Sequence, residues 1–464
     1  MAEFRLDPQG SLAGTFGLMN EDIGLLAGVL GLMPDDPRFF DAKKLATERG
    51  LRFAFLFEPL PECSHPNAVK IRLTGPTRSV QLVGASVGGG RVEVVSVAGF
   101  PVRFQGDSSV VLVFDETYAP PNSLESGRSE HEGASLQWFR TVGRPTDLPD
   151  GSLFLSPVLP VPTMPGRRPQ LFDTLVRWRE LAEQTGTGLF EVAIQYEEGA
   201  SAWPRSQIVS AMKRIQKLLH AQVHGAFGPA GEGPVPPFAR RDDRLWPRYL
   251  AGGSSFTGPV VGEAIRLALG VNAKVRGVPI VPGPMGTGGG YLYAALHAVQ
   301  EEQNRSEADL LRGLFVAAGV GAIAYSRTEP TGEVIGCAGE CGVCSAMTAA
   351  AIVEMLDGTP LQVENAASFA IQSAIGLPCD PIPGGYEQPC FSRIVSAVTN
   401  ALAFADLALA GSDAVLPFHE ALDVADRIGR ALPPELRCTS RGGCCVTPTG
   451  RRQAEAFRTS SGAP

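Results

Sequence analysis

Two hydrophobic periodicities divide the chain. Between residues 67 and 116, short runs rich in Val and Leu (NAVKIRL, VQLVGAS, RVEVVSVAGF, SSVVLVFDE) alternate with turn residues, the signature of β-strands. In GASVGGGRVEVV three glycines separate two such runs; with no helix start after them, a tight hairpin is predicted rather than an anion-binding loop. From about residue 169 the apolar positions recur at helical spacing. Helices are predicted over QLFDTLVRWRELAEQTG, RSQIVSAMKRIQKLLHAQVHGAFG, GPVVGEAIRLALG, ADLLRGLFVAAGVGAIAY, SAMTAAAIVEML, TPLQVENAASFAIQSAIG and IVSAVTNALAFADLALAG. Their Ala and Gly content lets helices pack closely. The expected fold class is therefore α+β: an N-terminal mixed α/β domain over 1–117, followed by an all-α domain over 169–464. Residues 118–168, rich in Pro, Gly and Ser, are expected to be a linker or a degenerate small β unit around SLQWFRTV. No internal repeat is visible.

At 464 residues, 44% of them hydrophobic, the chain is long enough for two or three domains with a sizeable core. A net charge of −8 gives no support for nucleic-acid binding, which needs a basic face. No window of eighteen apolar residues is free of charge, so no transmembrane helix is predicted. The opening MAEFRLDPQG lacks an apolar leader. A cytoplasmic protein with neither nucleic-acid nor membrane partner is the expectation.

The cysteines are unevenly placed. Cys63 stands alone, while Cys337, Cys341, Cys344, Cys379, Cys390, Cys438, Cys444 and Cys445 fall in the C-terminal third. In a cytosolic chain such clustering points to metal or redox chemistry rather than disulfides, against the plainer reading of small buried apolar residues. Three groupings compete. Cys337, Cys341 and Cys344 form C-x3-C-x2-C, a spacing also found in radical S-adenosylmethionine enzymes, but there it normally follows the first strand of a β/α barrel, and here helices follow. Zinc favours four N or S ligands in paired knuckles, and Cys379 and Cys390 are too far apart for one knuckle. Cys337, Cys379 and Cys390 each lie at an element boundary beside Gly or Pro, where loop-borne thiolates can converge and helix N-termini stabilise their charge. Three such ligands for four irons would leave one iron as a Lewis acid. Elsewhere, His220 and His224 lie four apart on a predicted helix; without the Glu of a zinc-peptidase motif, solvated or packing histidines are expected.

GCAGECGVCSAMTAAAIVEMLDGTPLQVENAA, GLPCDPIPGGYEQPCFSRIVSA and TPTGR at 447–451 resemble the catalytic α part of iron–sulfur-dependent L-serine dehydratases. Family members carry Gly-Cys-Gln-Gly/Ala-Glu, Leu-Thr/Val-Cys-Asp-Pro and, eleven residues on, Pro-Cys-Ile/Val. The resemblance places Cys337, Cys379 and Cys390 at the positions of the ligands of a 4Fe-4S cluster. GGSSFTGPV is similar to the family's Lys-Ser-Leu-Ser-Gly-Pro segment, which implies substrate-binding roles for Ser255, Thr257 and Gly258. GSLAGTFG, DDPRF, HPNAVKI and ASVGGGRVEVVSVAGF resemble the β part, so the likeness covers most of the chain, with 118–168 the poorest stretch. It implies a catalytic all-α domain, β-elimination of L-serine to pyruvate and ammonia without pyridoxal phosphate, a small amino-acid substrate and a homodimer.

The departures surround the expected substrate. The family's Ser-Ser-Ser-His-Thr segment has no counterpart, and GLMNED stands where Gly-His-Gly-Thr-Asp is expected, so both family histidines are absent. Ala-Gly-Ser-Ala-Gly reads GPMGTGGG, with Thr287 nearest the Ser; Asn-Ala-Ser-Ile-Ser-Gly reads RTEPTG; Glu-Thr-Ala-Gln-Gly-Gly-Leu-Ala-Ala reads CTSRGGCCV. Thr257, Glu340 and Thr287 are candidates for the displaced proton chemistry. Cys444 and Cys445, beside a Gly-Gly hinge, are candidates to cap the open iron, with Cys341 and Cys344 as other sources of such a thiol. Two other readings stand beside the serine lyase: a non-catalytic or sensory iron–sulfur homologue, and an L-cysteine desulfidase-type lyase. Because one missing acid or base commonly costs ~10²–10⁴-fold, weak L-serine turnover is expected relative to typical family members. Efficient pyruvate formation from serine by the reconstituted chain would contradict this.

Overall fold

The computed structural model describes the chain except for residues 18–19, 34, 107, 115–116, 122, 157–169, 202, 229–241, 254, 273–288, 383–387 and 462–464. Its N-terminal part holds two sheets. Strands β1 (Ala2–Leu6), β2 (Phe53–Phe57), β3 (Ala68–Thr74), β4 (Ser79–Ser86), β5 (Val92–Val97) and β6 (Phe100–Phe104) form a sheet of order β2-β1-β3-β4-β5-β6. β1 and β2 are parallel and the remaining neighbours antiparallel. β1 alternates buried and half-buried positions, and its buried Ala2 and Phe4 pack with Leu26 and Ala27 of α2 (Glu21–Val29) and Ala42 and Ala46 of α3 (Ala42–Glu48). A short helix, α1 (Ser11–Gly14), follows β1.

The second sheet, of order β10-β7-β9-β8, joins β7 (Ser109–Val113) to β8 (Ser123–His131), β9 (Ala134–Thr141) and β10 (Leu153–Leu155). The described part of 118–168 holds β8, β9 and β10, with SLQWFRTV falling largely in β9, and residue 117 lies between two strands of one sheet. β8 hides this in the sequence: it is an edge strand whose SLESGRSEH exposes mostly polar side chains. Val110, Leu112 and Leu136 share one core with Val94, Val97, Phe100 and Phe104, so the two sheets pack together.

The rest is helical: α4 (Leu175–Thr185), α5 (Leu189–Ser201), α6 (Arg205–Gly225), α7 (Asp242–Ala251), α8 (Gly258–Asn272), α9 (Gly289–Glu302), α10 (Glu307–Arg327), α11 (Gly332–Ile335), α12 (Val343–Met355), α13 (Pro360–Gln372), α14 (Cys390–Leu409), α15 (Phe418–Ala431) and α16 (Pro448–Ser461). Capping boxes start two of them, Ser306 with Asp309 at α10 and Thr359 with Gln362 at α13. All thirteen residues of α12 are buried. A helix with no polar face belongs at the centre of a bundle, and α12 packs against α9, α10, α13 and α14. Its Ala, Ser, Thr and Cys side chains let those neighbours come close. Glu307–Arg327 and Cys390–Leu409 are long and apolar enough to cross a membrane, but Glu307–Arg327 is 72% buried among its neighbours, as a core helix would be.

The two parts dock. The β4–β5 hairpin predicted from the glycines forms, with Gly88 at φ +85. A side chain there would overlap Thr331, so the turn lies directly on the segment after α10. Arg91 stacks over the Tyr325 ring at 4.2 Å, and His65 Nε2 is 3.3 Å from Glu329. Ser11 Oγ donates to Cys438 O at 2.8 Å, and Arg441 Nη1 donates to Gln9 Oε1 at 2.7 Å.

Trp178 anchors α4. It is fully buried, stacks on Phe172 at 4.5 Å and donates its indole N–H to Leu189 O at 3.0 Å. Trp178→Ala is expected to cost about 3–5 kcal/mol, read as a lower urea midpoint with helical circular dichroism retained. A midpoint unchanged from wild type would contradict this packing.

Candidate active site: a buried thiol centre

Three chain segments converge at the end of α12 nearest its start. α11 ends at Gly336 (φ +71), and the Cys337 N–H donates to Leu377 O at 2.8 Å, fixing this segment against the one after α13. A single π-turn, Ala338–Gly342, then leads into α12. Such a turn inside a helical run is frequently a functional feature. Cys379 is extended: its N–H donates to Leu436 O at 2.8 Å and its carbonyl accepts from Cys438 N–H at 2.6 Å. That parallel bridge brings Cys438, held at φ +58, beside Cys379. Cys390 is the first residue of α14 rather than a residue preceding it.

Cys337, Cys379 and Cys438 form a buried cluster with Cys341 packed against it. Sγ of Cys337, Sγ of Cys379 and a carboxylate oxygen of Glu340 all lie within 4.8 Å of one another. All nine cysteines are free thiols. Gly332 makes the approach possible, because a Cβ there would sit 2.6 Å from Cys379 Sγ and 3.1 Å from Glu340 Oε2. Arg393, on the first turn of α14, reaches Cys337 Sγ with Nη1 at 3.8 Å and Asp380 Oδ1 with Nη2 at 2.8 Å. Asp380 Oδ2 in turn accepts from the Cys444 N–H at 2.7 Å.

The thiols share one negative charge unequally. Hydrogen bonds from Cys341, Cys379 and Cys390, helped by the Arg393 guanidinium, hold Cys337 well below the usual thiol range. Cys379, Cys390 and Cys341 are pushed up because each donates to Cys337 and is buried. Burial, then the nearby Glu333 and Cys337, raise the Glu340 carboxyl well above the usual carboxylate range, partly offset by the Gly332 N–H. The site therefore combines a thiolate, proton-carrying thiols and a carboxyl inclined to hold its proton.

The other residues singled out in the sequence lie as follows. Ser255 Oγ and Thr257 Oγ1 are 2.8 Å apart in the turn that starts α8 at Gly258. α8 packs beside α14, the helix begun by Cys390, but among the described residues no hydrogen bond joins Ser255 or Thr257 to the thiols. Thr287 lies outside the described residues. Cys445 donates to Pro381 O at 3.0 Å, and burial pushes its thiol up to about 12. Cys344 is buried in α12, which likewise raises it to about 12. Of the tail thiols, Cys438 is the one packed with Cys337 and Cys379. Sequence reasoning also missed Arg393 and Tyr291. Tyr291, in the first turn of α9, is raised by burial and then by Cys390, Cys341, Cys344 and Glu340, so it lies within electrostatic range of the same centre; its hydroxyl donates to Asn272 Oδ1 at 3.4 Å. Only its place directly after GTGGG hinted at a role.

A model of the family described as serine dehydratase alpha chain matches residues 184–445, the span holding Cys337, Cys379, Cys390 and Cys438. The chain is 37% identical over 284 residues to the L-serine dehydratase alpha chain of Peptoniphilus asaccharolyticus, covering 60% of this chain and 95% of that protein. It is 36% identical over 204 residues to a probable L-serine dehydratase alpha chain of Bacillus subtilis, covering 44% of this chain and 68% of that protein. An L-serine dehydratase of Streptomyces coelicolor is 25% identical over 397 residues, 82% of this chain and 85% of that protein. That last match necessarily reaches into the N-terminal sheets.

In the reduced, metal-free protein, ultraviolet thiolate absorbance should show one thiolate at pH values where an ordinary thiol, near 8.5, is protonated. A depressed value means the charge persists as pH falls and is lost only below that ordinary range. Cys337→Ser should abolish the step, and Arg393→Met should move it upward in pH. Absence of any thiolate below the ordinary range would contradict the charge distribution described.

Proposed function

The chain belongs to the serine dehydratase alpha chain family, and from that premise we propose that it is an ammonia-lyase acting by β-elimination on L-serine or a related β-substituted amino acid, with a 4Fe-4S cluster held by Cys337, Cys379 and Cys390. The observation that carries this reading is the convergence of thiols from three separate segments on one buried point. The donor set fits an iron–sulfur cluster: the thiols are free, one is a thiolate, and Gly332 leaves room against Cys379. Their mutual crowding means they separate to hold the group. Cys438 is the tail thiol best situated to reach a fourth iron.

When bound, the cluster supplies a Lewis acid that makes hydroxide a better leaving group. The chain's own residues handle the proton and exclude water. Glu340 is the carboxyl grouped with the thiols; in the form that has given up its own proton, its raised proton affinity makes it a stronger base toward the α-proton than an ordinary carboxylate. The electron pair released at Cα forms the Cα–Cβ double bond as hydroxide leaves Cβ. The aminoacrylate tautomerises to an imine and hydrolyses to pyruvate and ammonia. The Tyr291 phenol keeps its proton, which it donates to Asn272 Oδ1. The β4–β5 turn on Thr331 and the His65–Glu329 contact close the side facing the sheets.

Anaerobic reconstitution, followed by iron and sulfide analysis and an ammonia-release assay over several amino acids, tests this. Cys379→Ser should lose the broad visible absorption of the cluster and all ammonia release. Glu340→Gln should keep its iron and sulfide and lose ~10²–10⁴-fold in kcat. Full iron and sulfide in Cys379→Ser would overturn the ligand assignment, and unchanged kcat in Glu340→Gln would overturn the assignment of the base.

A further inference from the structure

Away from the thiols, α6 and α9 bring three imidazoles together. His220 and His224 are one turn apart on α6, and His297 faces them from α9, roughly 9 Å along that helix from Tyr291 at 1.5 Å per residue. The ring centroids are 4.4 Å apart for His220 and His224, 4.9 Å for His224 and His297, and 5.3 Å for His220 and His297. One ring nitrogen from each lies within 4.8 Å of the other two. A tetrahedral ion with bonds of 2.0–2.1 Å needs nitrogens about 3.3 Å apart, so modest side-chain rotations close the set.

Two further observations point to a ligand. His224 Nε2 is buried with no hydrogen-bond partner among the described residues. Leaving such an atom unmatched is costly unless something occupies it. His297 Nδ1 is 3.2 Å from Gln300 Oε1, and Gln300 Nε2 donates to Glu307 Oε1 at 3.0 Å, while Gln216 holds the other Glu307 oxygen. An outer hydrogen bond of this kind places the proton on Nδ1 and leaves the Nε2 lone pair free, the arrangement that orients metal-binding histidines.

We propose that His220, His224 and His297 form a three-histidine site for a divalent transition cation of the zinc class, with its fourth position open to the adjoining groove. That groove, of about 630 Å³, is lined by His220 together with Lys213, Lys217, Tyr293 and Glu307. Three neutral nitrogen donors and one open position suit zinc, with cobalt as a spectroscopic substitute. The ion would tie α6 to α9, the helix whose first turn carries Tyr291. The proposal stands independently of the iron–sulfur reading.

The test uses the full chain with its thiols kept reduced. After equilibrium dialysis against Zn²⁺, bound zinc is counted in wild type and in a His220→Ala, His297→Ala double variant. The variant should bind one zinc fewer per chain. The wild-type-minus-variant spectrum after Co²⁺ loading should show the visible bands of a tetrahedral ion without thiolate charge transfer. Gln300→Met should weaken zinc binding ~10–100-fold. His220 is exposed, so His220→Ala alone is the control for folding: it should weaken zinc binding by at least ~10-fold with an unchanged melting temperature in the absence of zinc. Equal zinc content in wild type and the double variant, unchanged affinity in His220→Ala, or thiolate charge transfer in the difference spectrum would each overturn the site.

Discussion

The structure depends on a helix that has no polar side. Because every residue of α12 is buried, its N-terminal end cannot meet water, and the turn that runs into it is closed by the Val343 N–H donating back to Ala338 O. The π-turn before it delivers Cys337 to that end, where hydrogen bonds from the surrounding thiols lower its proton affinity. A thiolate in such a place needs donors and a countercharge. Cys341, Cys379 and Cys390 supply the first, and Arg393, anchored by Asp380, supplies the second. The absence of a side chain at Gly332 lets Cys379 and Glu340 share the same small volume.

The N-terminal sheets matter to this centre through what they cover. The β4–β5 turn lies on Thr331, Arg91 on Tyr325, and α1 holds the tail through Ser11 and the Cys438 carbonyl. Covering the thiols on this side lowers the local dielectric and strengthens each charge interaction around Cys337. It also fixes the stretch from Arg437 to Arg441, which brings Cys438 beside Cys379. α9 also packs on α12, with Tyr291 in its first turn within electrostatic range of the thiols and His297 beside the histidines of α6.

Much of this was legible in the chain. The α+β order follows from a change of hydrophobic period, and the hairpin at Gly88–Gly90 from its glycines. The helices over Arg205–Gly225, Gly258–Asn272 and Glu307–Arg327 begin and end close to their periodic runs. Cys337, Cys379 and Cys390 stood out because each sits beside Gly or Pro at an element boundary. What was not legible has no local signal. β8 is polar because it is an edge strand, so its pairing with β9 cannot be read from alternation. Cys438 joins the cluster through a bridge between segments far apart in the chain, and Cys444 and Cys445 drew attention only by being adjacent. Arg393 and Tyr291 sit on ordinary helical positions. His220 and His224 looked like packing residues because the third histidine lies on another helix.

The central claim is that the converging thiols hold a 4Fe-4S cluster with one iron available to an amino-acid substrate. ⁵⁷Fe Mössbauer spectroscopy of the anaerobically reconstituted full chain, recorded with and without L-serine and then with L-cysteine, tests it most directly. The expected result is a four-iron cluster in which one iron changes coordination when one of these amino acids is added, while three keep their sulfur surroundings. A cluster whose four irons are indifferent to both amino acids, or no cluster at all in a protein that folds, would contradict it.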